Sequence, residues 1–412
     1  MTATVVAPPG RPAHRDPQVL RWLGAYTAST TGDMVYHLAL SWAAVQSGTP
    51  AQAGIVLSLS AVMRALLMLF GGVVADRFGP RRVVISSDAV RCVVVLGVAA
   101  LLALSTPGLW ALAALAVVFG AVDALFMPAV GALPPRIAPP AQLGRVQGMR
   151  SLSYRTSVLL GAPLGGLAVA LGGPAAAFGA AGLLFAFSLP LLLALRLSPL
   201  PSGGGRPRER TTALRDLTDG LRYIRRHRVL GPLVIVVALS DLGFVGPLNV
   251  GLALLSDQRG WGAAGVGWVL AGFGTGAGAA SLVLTVRGRI PRAGRVLAWT
   301  IALGAVSIGA LAYVPRLPAA VAVSVAIGLL AGLSGALCGA LTQTECDPAY
   351  LGRVTSVTTF FSLGVAPLSF PLTGAAVAMW GPAPVFTASA AVCVLGGLYG
   401  LSAQALRRAE MP

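Results

Sequence analysis

Long apolar runs dominate this sequence and follow one another at short intervals from residue 20 to residue 405. A helix needs about 20 apolar residues to cross a hydrocarbon core about 30 Å thick, and each run reaches that length. The runs predict twelve spanning helices, at about 20–46, 52–75, 83–105, 108–131, 146–171, 174–196, 229–256, 262–287, 295–315, 318–344, 351–380 and 383–405. Only 10% of the residues are charged, which excludes an ordinary soluble enzyme and a disordered chain.

The distribution of arginine predicts the orientation of these spans. All 30 basic residues are arginine, and without a lysine the chain cannot form a P-loop for ATP hydrolysis. With the N-terminus in the cytoplasm, 25 arginines lie in cytoplasmic segments or at their borders, two lie outside and three lie within spans. This positive-inside asymmetry predicts a multi-pass protein of the plasma membrane with both termini in the cytoplasm. The basic residues are spread over alternate loops, which argues against binding of nucleic acid.

A repeat within the chain predicts two similar halves. Residues 140–178 match residues 348–386 without gaps, with 17 identities in 39 positions. Both copies contain a Leu-Gly-Arg-Val block and a Gly-Pro-Ala-x-x-Phe block. Both also enter the membrane from a cytoplasmic loop, so the halves have the same orientation, as in a duplication about an axis along the membrane normal.

The only long polar segment, residues 197–228, joins the halves, so we expect a first six-helix half over 1–196 and a second over 229–412. The segment begins as a linker rich in proline, glycine and arginine. Apolar residues then recur at helical spacing, at Leu214, Leu217, Leu221 and Ile224. This pattern predicts an amphipathic helix on the inner leaflet, and a solvated linker with a charge cluster that fixes topology fits the same residues.

A loop rich in glycine and arginine follows the second span and reads GVVADRFGPRR from Gly72 to Arg82. Gly72 permits close helix approach and Gly79 permits a tight turn. The loop resembles the GxxxDRxGRR signature of the major facilitator superfamily. The resemblance implies a cytoplasmic gate that clamps the halves together, with Asp76 facing the start of span 11. The residues of this gate motif are Gly72, Asp76, Arg77, Gly79, Arg81 and Arg82.

Further motifs resemble the third drug:proton antiporter group of that superfamily, which includes macrolide and enterobactin exporters. They are Gly32–Asp33, Ser87–Arg91, Phe126–Ala129 and Gly220–Tyr223, whereas the arginine motif of many antiporters is absent from span 4. The resemblance implies an all-α polytopic membrane protein with twelve transmembrane helices in two parallel-repeated six-helix halves. It also implies export of a small amphipathic compound, a drug or a natural product, by proton antiport with alternating access. No cofactor and no metal are expected.

Charged residues inside spans are functional candidates, because an ionised group at the bilayer centre costs about 2.5–3.5 kcal/mol on insertion scales. Asp33 and Arg64 lie near the midplane and could pair, and Asp241 reaches a similar depth in span 7. We expect Asp33 to bind a proton or a cation, with His37 one turn away as a relay partner and Asp241 as a further coupling group. A fixed Asp33–Arg64 bridge that never titrates is the alternative. The predicted buried charge network consists of Arg64, Asp88, Arg91, Asp123 and Arg155.

The resemblance places a central cavity between spans 1, 4, 7 and 10. Its candidate substrate-binding residues are Tyr36, Met127, Phe244, Asn249 and Gln343. The glycine-rich run Gly272–Gly278 lies inside an apolar span with no preceding strand, which argues against a dinucleotide site. Gly272, Gly276 and Ala280 instead predict close helix packing.

Three other functions fit the same sequence: an importer or uniporter, a lysophospholipid flippase, and a membrane sensor that does not transport. The expected partners are a small-molecule substrate, protons and the lipid bilayer, and the expected state is a monomer. The use of alanine, glycine, proline and arginine without lysine is typical of a high-GC bacterium.

Overall fold

The computed structural model describes residues 12–105, 108–139, 142–195, 213–287, 292–347 and 350–410. Over these residues the chain forms helices joined by short turns, and it contains no strand. The twelve long helices are α1 (Pro17–Ser47), α2 (Pro50–Phe78), α3 (Pro80–Leu104), α4 (Leu109–Gly131), α5 and α6 (together Leu143–Leu193), α7 (Leu230–Gln258), α8 (Gly262–Arg287), α9 (Ala293–Leu311), α10 (Leu317–Glu345), α11 (Leu351–Trp380) and α12 (Pro382–Ser402). The predicted all-α membrane fold is therefore confirmed.

Shorter elements lie between and around the long helices. They are Ala13–Arg15, Pro134–Ile137, a π-helical turn at Pro247–Gly251 within α7, a linker helix at Ala213–Arg226, and Gln404–Arg408. Nine described segments are long and apolar enough to cross a membrane, and the longest, Arg145–Leu193, contains both α5 and α6.

Glycines with positive φ separate helices that would otherwise be continuous. Gly173 has a φ of 69° between α5 and α6, and Gly381 has a φ of 78° between α11 and α12. A proline follows each glycine and begins the next helix, a position where its missing N–H costs nothing. Gly173 and Gly381 are equivalent in the sequence repeat, so the duplication extends to the backbone conformation. Gly79, with a φ of 84°, forms the tight turn predicted between α2 and α3.

Twelve crossings return the chain to the side of the membrane on which α1 begins, which we call the terminal side. We call the other side of the membrane the opposite side. The first half consists of α1–α6 and the second half of α7–α12. The halves meet along α2 with α11 and along α5 with α8.

The two contacts between the halves are related by the repeat. A Cβ at Gly54 would lie 2.6 Å from the carbonyl oxygen of Phe370, and a Cβ at Gly267 would lie 2.7 Å from that of Ala162. Ala162 and Phe370 are equivalent positions of the two halves. Only glycine lets helix backbones approach this closely. The interface therefore follows a pseudo-twofold axis.

Apolar packing shows which side of the molecule is closed. On the opposite side, one cluster of buried residues extends across both halves and includes Leu40 and Leu254. On the terminal side the buried residues form two clusters, one around Trp22 in the first half and one around Leu230 in the second. Among the described residues, buried apolar packing thus connects the halves on the opposite side and stays within each half on the terminal side.

Helices α8 and α10 show the close packing that the glycine stripe predicts. A Cβ at Gly272 would lie 2.8 Å from the carbonyl oxygen of Val321, and a Cβ at Gly276 would collide with that of Val325. We expect Gly276→Ala to lower the free energy of unfolding by about 1–3 kcal/mol, because the added methyl group forces the helices apart.

The midpoint of thermal unfolding of the purified protein measures this effect. Gly278→Ala is the matched control, because a Cβ at Gly278 meets nothing within 4 Å. Alanine favours a helix over glycine, so the control should keep or slightly raise the midpoint. Equal midpoints for the two variants would contradict the packing argument.

The linker helix packs against the second half, whereas the sequence predicts a helix on lipid. Ile224 is 3% exposed, and the ring of Tyr223 stacks on Tyr350 with 4.4 Å between centroids. Leu221 is exposed on the other face. One apolar face of the helix is thus a protein contact, which periodicity alone cannot distinguish from a lipid contact. The side chains of Leu214 and Leu217 and residues 196–212 lie outside the described residues.

Candidate functional site

Five charged side chains from four helices converge inside the first half, and we call them the charge cluster. They are Asp33 of α1, Arg64 of α2, Asp88 and Arg91 of α3, and Asp123 of α4. The spacing of three residues puts Asp88 and Arg91 on one face of α3. The surroundings are apolar, so these charges must be stabilised by one another.

Arg91 lies at the centre of the cluster, and its side chain is 0% exposed. Its guanidinium lies 2.7 Å from a carboxylate oxygen of Asp123, 3.5 Å from Asp88 and 3.6 Å from Asp33. A guanidinium suits this position because it carries several donors in one plane and keeps its charge when buried.

Aromatic rings complete the surroundings of Arg91. The carbon at the centre of its guanidinium lies 5.1, 4.1 and 5.8 Å from the ring centroids of Phe119, Phe126 and Phe185 respectively. Rings at these distances attract the cation through their π-electrons and exclude water. The rings therefore strengthen the ion pairs, since fewer waters screen the charges.

The three carboxylates differ in how well they are hydrogen-bonded. Asp88 accepts hydrogen bonds from the hydroxyls of Ser29 and Ser188 as well as from Arg91. Asp123 accepts from both guanidiniums of the cluster, at 2.7 and 3.4 Å. Oδ1 of Asp33 is buried without a hydrogen bond among the described residues, although the side chain is 14% exposed overall. Asp33 is thus the least stabilised carboxylate and is still accessible.

Three carboxylates and two guanidiniums leave one negative charge in excess. Burial of an uncompensated charge is costly, so the cluster is most stable when one carboxylate carries a proton or when a further cation binds. Asp33 is the carboxylate best placed for either event.

His37 follows Asp33 by one helical turn. Its ring packs edge-on against Tyr36 and Phe119, with centroid distances of 5.1 and 6.0 Å. The described hydrogen bonds and ion pairs do not join His37 to Asp33, and the relay between them stays a prediction.

Two arginines are placed differently from the sequence-based expectation. Arg64 lies 3.4 Å from Asp123, whereas the sequence suggested a pair with Asp33, and Asp33 instead lies beside Arg91. Arg155 is exposed and donates to the carbonyl oxygen of Ala277 in α8 at 3.4 Å, so it joins the two halves and is not part of the cluster. Depth along a helix can be read from the sequence, but rotation about the helix axis cannot.

The candidate substrate-binding residues occupy different surroundings. Tyr36 is fully buried and stacks on Phe119 at 3.5 Å between centroids, so it is a core residue in this conformation. Phe244 lines a cavity inside the second half. The others are exposed, namely Met127, Asn249 and Gln343. Their roles in substrate binding stay predictions.

The gate motif is described in part. Arg81 donates to the carbonyl oxygen of Leu193 at 2.7 Å and thereby satisfies the C-terminal end of α6. Arg77 and Arg82 are exposed. The surroundings of Gly72, the side chain of Asp76 and the predicted contact between Asp76 and α11 lie outside the described residues.

Several residues of the site were not predicted from the sequence. They are Ser29 and Ser188, which bind Asp88, and the rings of Phe119, Phe126 and Phe185. The run Thr27–Thr31 could have indicated a polar face on α1. An isolated serine or phenylalanine in an apolar span carries no such signal.

Comparisons with known proteins agree with this architecture. The family model of the Major Facilitator Superfamily matches residues 22–366. The chain is 27% identical over 418 residues to the multidrug efflux pump Tap of Mycobacterium tuberculosis, which covers 97% of this chain and 96% of that protein. It is 26% identical over 361 residues to the enterobactin exporter EntS of Escherichia coli, which covers 87% of this chain and 84% of that protein.

Solved structures share the fold at low identity. The nucleoside transporter NupG superposes with a TM-score of 0.74 at 12% identity, covering 94% of this chain and 100% of that one. A bacterial homolog of the human lysosomal transporter Spinster gives a TM-score of 0.70 at 14% identity, covering 97% of each chain. At these identities the likeness shows the fold alone.

Proposed function

This chain belongs to the major facilitator superfamily, and we propose that it exports a small amphipathic organic compound across the plasma membrane in exchange for protons. As a member of that family it is a multi-pass membrane transporter and not an enzyme. One observation carries the proposal for proton exchange: the charge cluster contains one carboxylate more than its guanidiniums neutralise.

Asp33 is the group that we assign to the proton. Its protonation removes the excess charge from the apolar interior, and its deprotonation restores that charge. The energy of the cluster therefore differs between the two protonation states of Asp33. Through this difference a proton gradient can change the populations of the two conformations. Because Asp33 is partly exposed while Arg91 is fully buried, Asp33 exchanges protons and Arg91 stays fixed.

Alternating access follows from the relation between the halves. Buried apolar residues connect them on the opposite side and stay within each half on the terminal side, and their interface obeys a pseudo-twofold axis. Rocking about the middle of the membrane would part the halves on the opposite side and pack them on the terminal side. The arginine asymmetry supports a cytoplasmic terminal side, so this conformation would take up substrate from the cytoplasm.

The direction of transport and the kind of substrate are supported by the relatives. One relative is named a multidrug efflux pump and another an enterobactin exporter, and each match covers more than four fifths of both chains. An amphipathic compound also suits a site in the middle of an apolar bundle, because its apolar part replaces lipid contacts while its polar part meets the few buried polar groups.

Flux into proteoliposomes tests the proposal. The purified chain is reconstituted, a pH gradient is imposed, and a panel of cationic, neutral and anionic amphiphiles is offered. We expect at least one compound to accumulate against its gradient while protons move the other way. One proton that crosses a potential of about 100 mV and a difference of one pH unit releases roughly 3.7 kcal/mol. This energy can sustain a substrate concentration ratio of roughly several hundred. A protonophore should abolish the accumulation.

The alternative functions give different results in the same vesicles. Movement of substrate in the same direction as protons would indicate an importer, and equilibration that ignores the gradient would indicate a uniporter. Movement of lysophospholipid alone would indicate a flippase, and ligand binding without flux would indicate a sensor. Each of these results contradicts the proposal.

A further inference from the structure

The second half contains a cavity of about 390 Å³ between α7, α8, α9, α10 and α12. This volume lies in the range of sites for drug-sized ligands. Its walls are mostly apolar, and Asp241 of α7 is its one charged lining residue among the described residues. All of its lining residues belong to the second half, so it is distinct from the charge cluster.

Asp241 is the repeat equivalent of Asp33. The two residues are separated by 208 positions, the offset that also relates Leu143 to Leu351. Tyr36 lies about one helical turn after Asp33, and at the same offset it corresponds to Phe244, which lines the cavity. The duplicated helices thus carry a carboxylate at the same depth in each half.

The surroundings of the two carboxylates differ because, among the described residues, no arginine of the second half takes the place that Arg91 has in the first. The buried faces of α3 and α9 align at an offset of 209 residues, since Val95 and Ala99 then correspond to Gly304 and Ile308. Arg91 corresponds at this offset to Thr300, which lines the cavity. A hydroxyl therefore stands where the first half has a guanidinium.

Smaller side chains also replace the rings and the second acid. At the offset of 208, Phe119, Asp123, Phe126 and Phe185 correspond to Ile327, Ala331, Ser334 and Cys393, all of which line the cavity. The space that Arg91 and three phenylalanine rings fill in the first half is consequently open in the second half.

Asp241 has no cationic partner among the described residues. Its carboxylate accepts a hydrogen bond of 2.7 Å from the hydroxyl of Ser362 in α11, and the described ion pairs do not include it. The rings of Phe244 and Phe273 also line the cavity, with 5.7 Å between their centroids. A carboxylate next to aromatic faces repeats the chemistry that holds Arg91, without the arginine.

We propose that this cavity binds an organic cation, whose charged group takes the place that corresponds to the guanidinium of Arg91. The charge pairs with Asp241, and the apolar part of the ligand packs on Phe244, Phe273 and the aliphatic walls. The inference deepens the proposed function by naming amphipathic cations as the substrate class, and it rests on that function only for its role in transport.

Equilibrium binding to the purified full-length chain tests the site without any gradient. The probe is tetraphenylphosphonium, a permanent apolar cation, and its counterpart is tetraphenylborate, an anion of the same shape. We expect the cation to bind and the anion not to bind. Asp241→Asn should weaken binding of the cation by about tenfold or more, because it removes the buried opposite charge. Asp219→Asn, on the surface of the linker helix, should leave binding unchanged.

A second pair of variants tests the same cavity without changing Asp241. Thr300→Arg supplies the missing guanidinium from the chain itself and should abolish binding, whereas Thr300→Met adds a long uncharged side chain and should weaken binding less. The midpoint of thermal unfolding confirms that each variant is folded. Equal binding of both probes, or equal binding by wild type and Asp241→Asn, would overturn the inference.

The binding experiment tests the cavity and the flux experiment tests the proposed function, so each claim can be wrong while the other is right. If tetraphenylphosphonium binds through Asp241 but no compound moves against a pH gradient, the cavity stands and the proposed function is wrong. If proton-driven export is observed while Asp241→Asn binds the cation normally, the proposed function stands and the inference is wrong.

Discussion

Replacement of Arg91 by methionine should lower the free energy of unfolding by about 3–5 kcal/mol and abolish transport. The guanidinium is fully buried and lies within 3.6 Å of three carboxylates. Its loss leaves those carboxylates to repel one another inside an apolar bundle, with only Arg64 for compensation. Methionine is an unbranched, flexible side chain of roughly similar volume, so the effect reports mainly the lost charge rather than a large void.

Thermal unfolding of the detergent-purified variants measures this effect. Arg64→Met is the matched control, since Arg64 is the 29% exposed arginine of the cluster and pairs with one carboxylate, Asp123, at 3.4 Å. It should lower the unfolding midpoint much less. Addition of Asp123→Asn to Arg91→Met should recover part of the stability, because it removes the carboxylate that lay 2.7 Å from the guanidinium. An Arg91→Met protein as stable as the wild type would show that the cluster is not held by this residue.

Asp33→Asn should remove the response of transport to a pH gradient while the protein stays folded. Asparagine resembles the protonated carboxylate in size and charge, so the cluster becomes permanently neutral and its energy no longer depends on protons. We expect accumulation driven by the pH gradient to fall by about tenfold or more. Exchange of substrate down its own gradient should continue, because the halves can still rock.

Paired measurements in the same vesicles separate coupling from general damage. Gradient-driven accumulation and downhill exchange are compared for wild type, Asp33→Asn and the surface variant Asp219→Asn. Loss of both activities in Asp33→Asn would mean that the residue holds the structure and does not couple protons. Unchanged gradient-driven accumulation would remove Asp33 from the mechanism altogether.

Much of the fold could be predicted from the sequence because it depends on length and local chemistry. The lengths of the apolar runs predict the twelve helices, and glycine followed by proline predicts the breaks at Gly173 and Gly381. The turn at Gly79 and the glycine stripe of α8 follow from the small size of glycine. These features depend on neighbours along the chain, which a sequence shows directly.

Contacts between helices were harder to predict. Asp33 and Arg64 lie at matching depths, yet α3 and α4 place Arg91 and Asp123 between them. Tyr36 lies at the depth expected for a cavity, but rotation of α1 points its ring onto Phe119. Such contacts depend on helix rotation and tilt, which come from the packing of the whole bundle.

Asp33 and Asp241 lie at equal depth in different halves, and the described contacts of each carboxylate remain within its own half. In the proposed roles, a proton and an organic cation bind to different carboxylates and do not compete for one. Each can then act on the other by changing the populations of the two arrangements of the halves. Thermodynamic linkage then requires reciprocity: the factor by which a proton at Asp33 weakens cation binding equals the factor by which the cation weakens proton binding. The affinity of one ligand, measured as the other is varied, therefore gives the coupling free energy of the transporter.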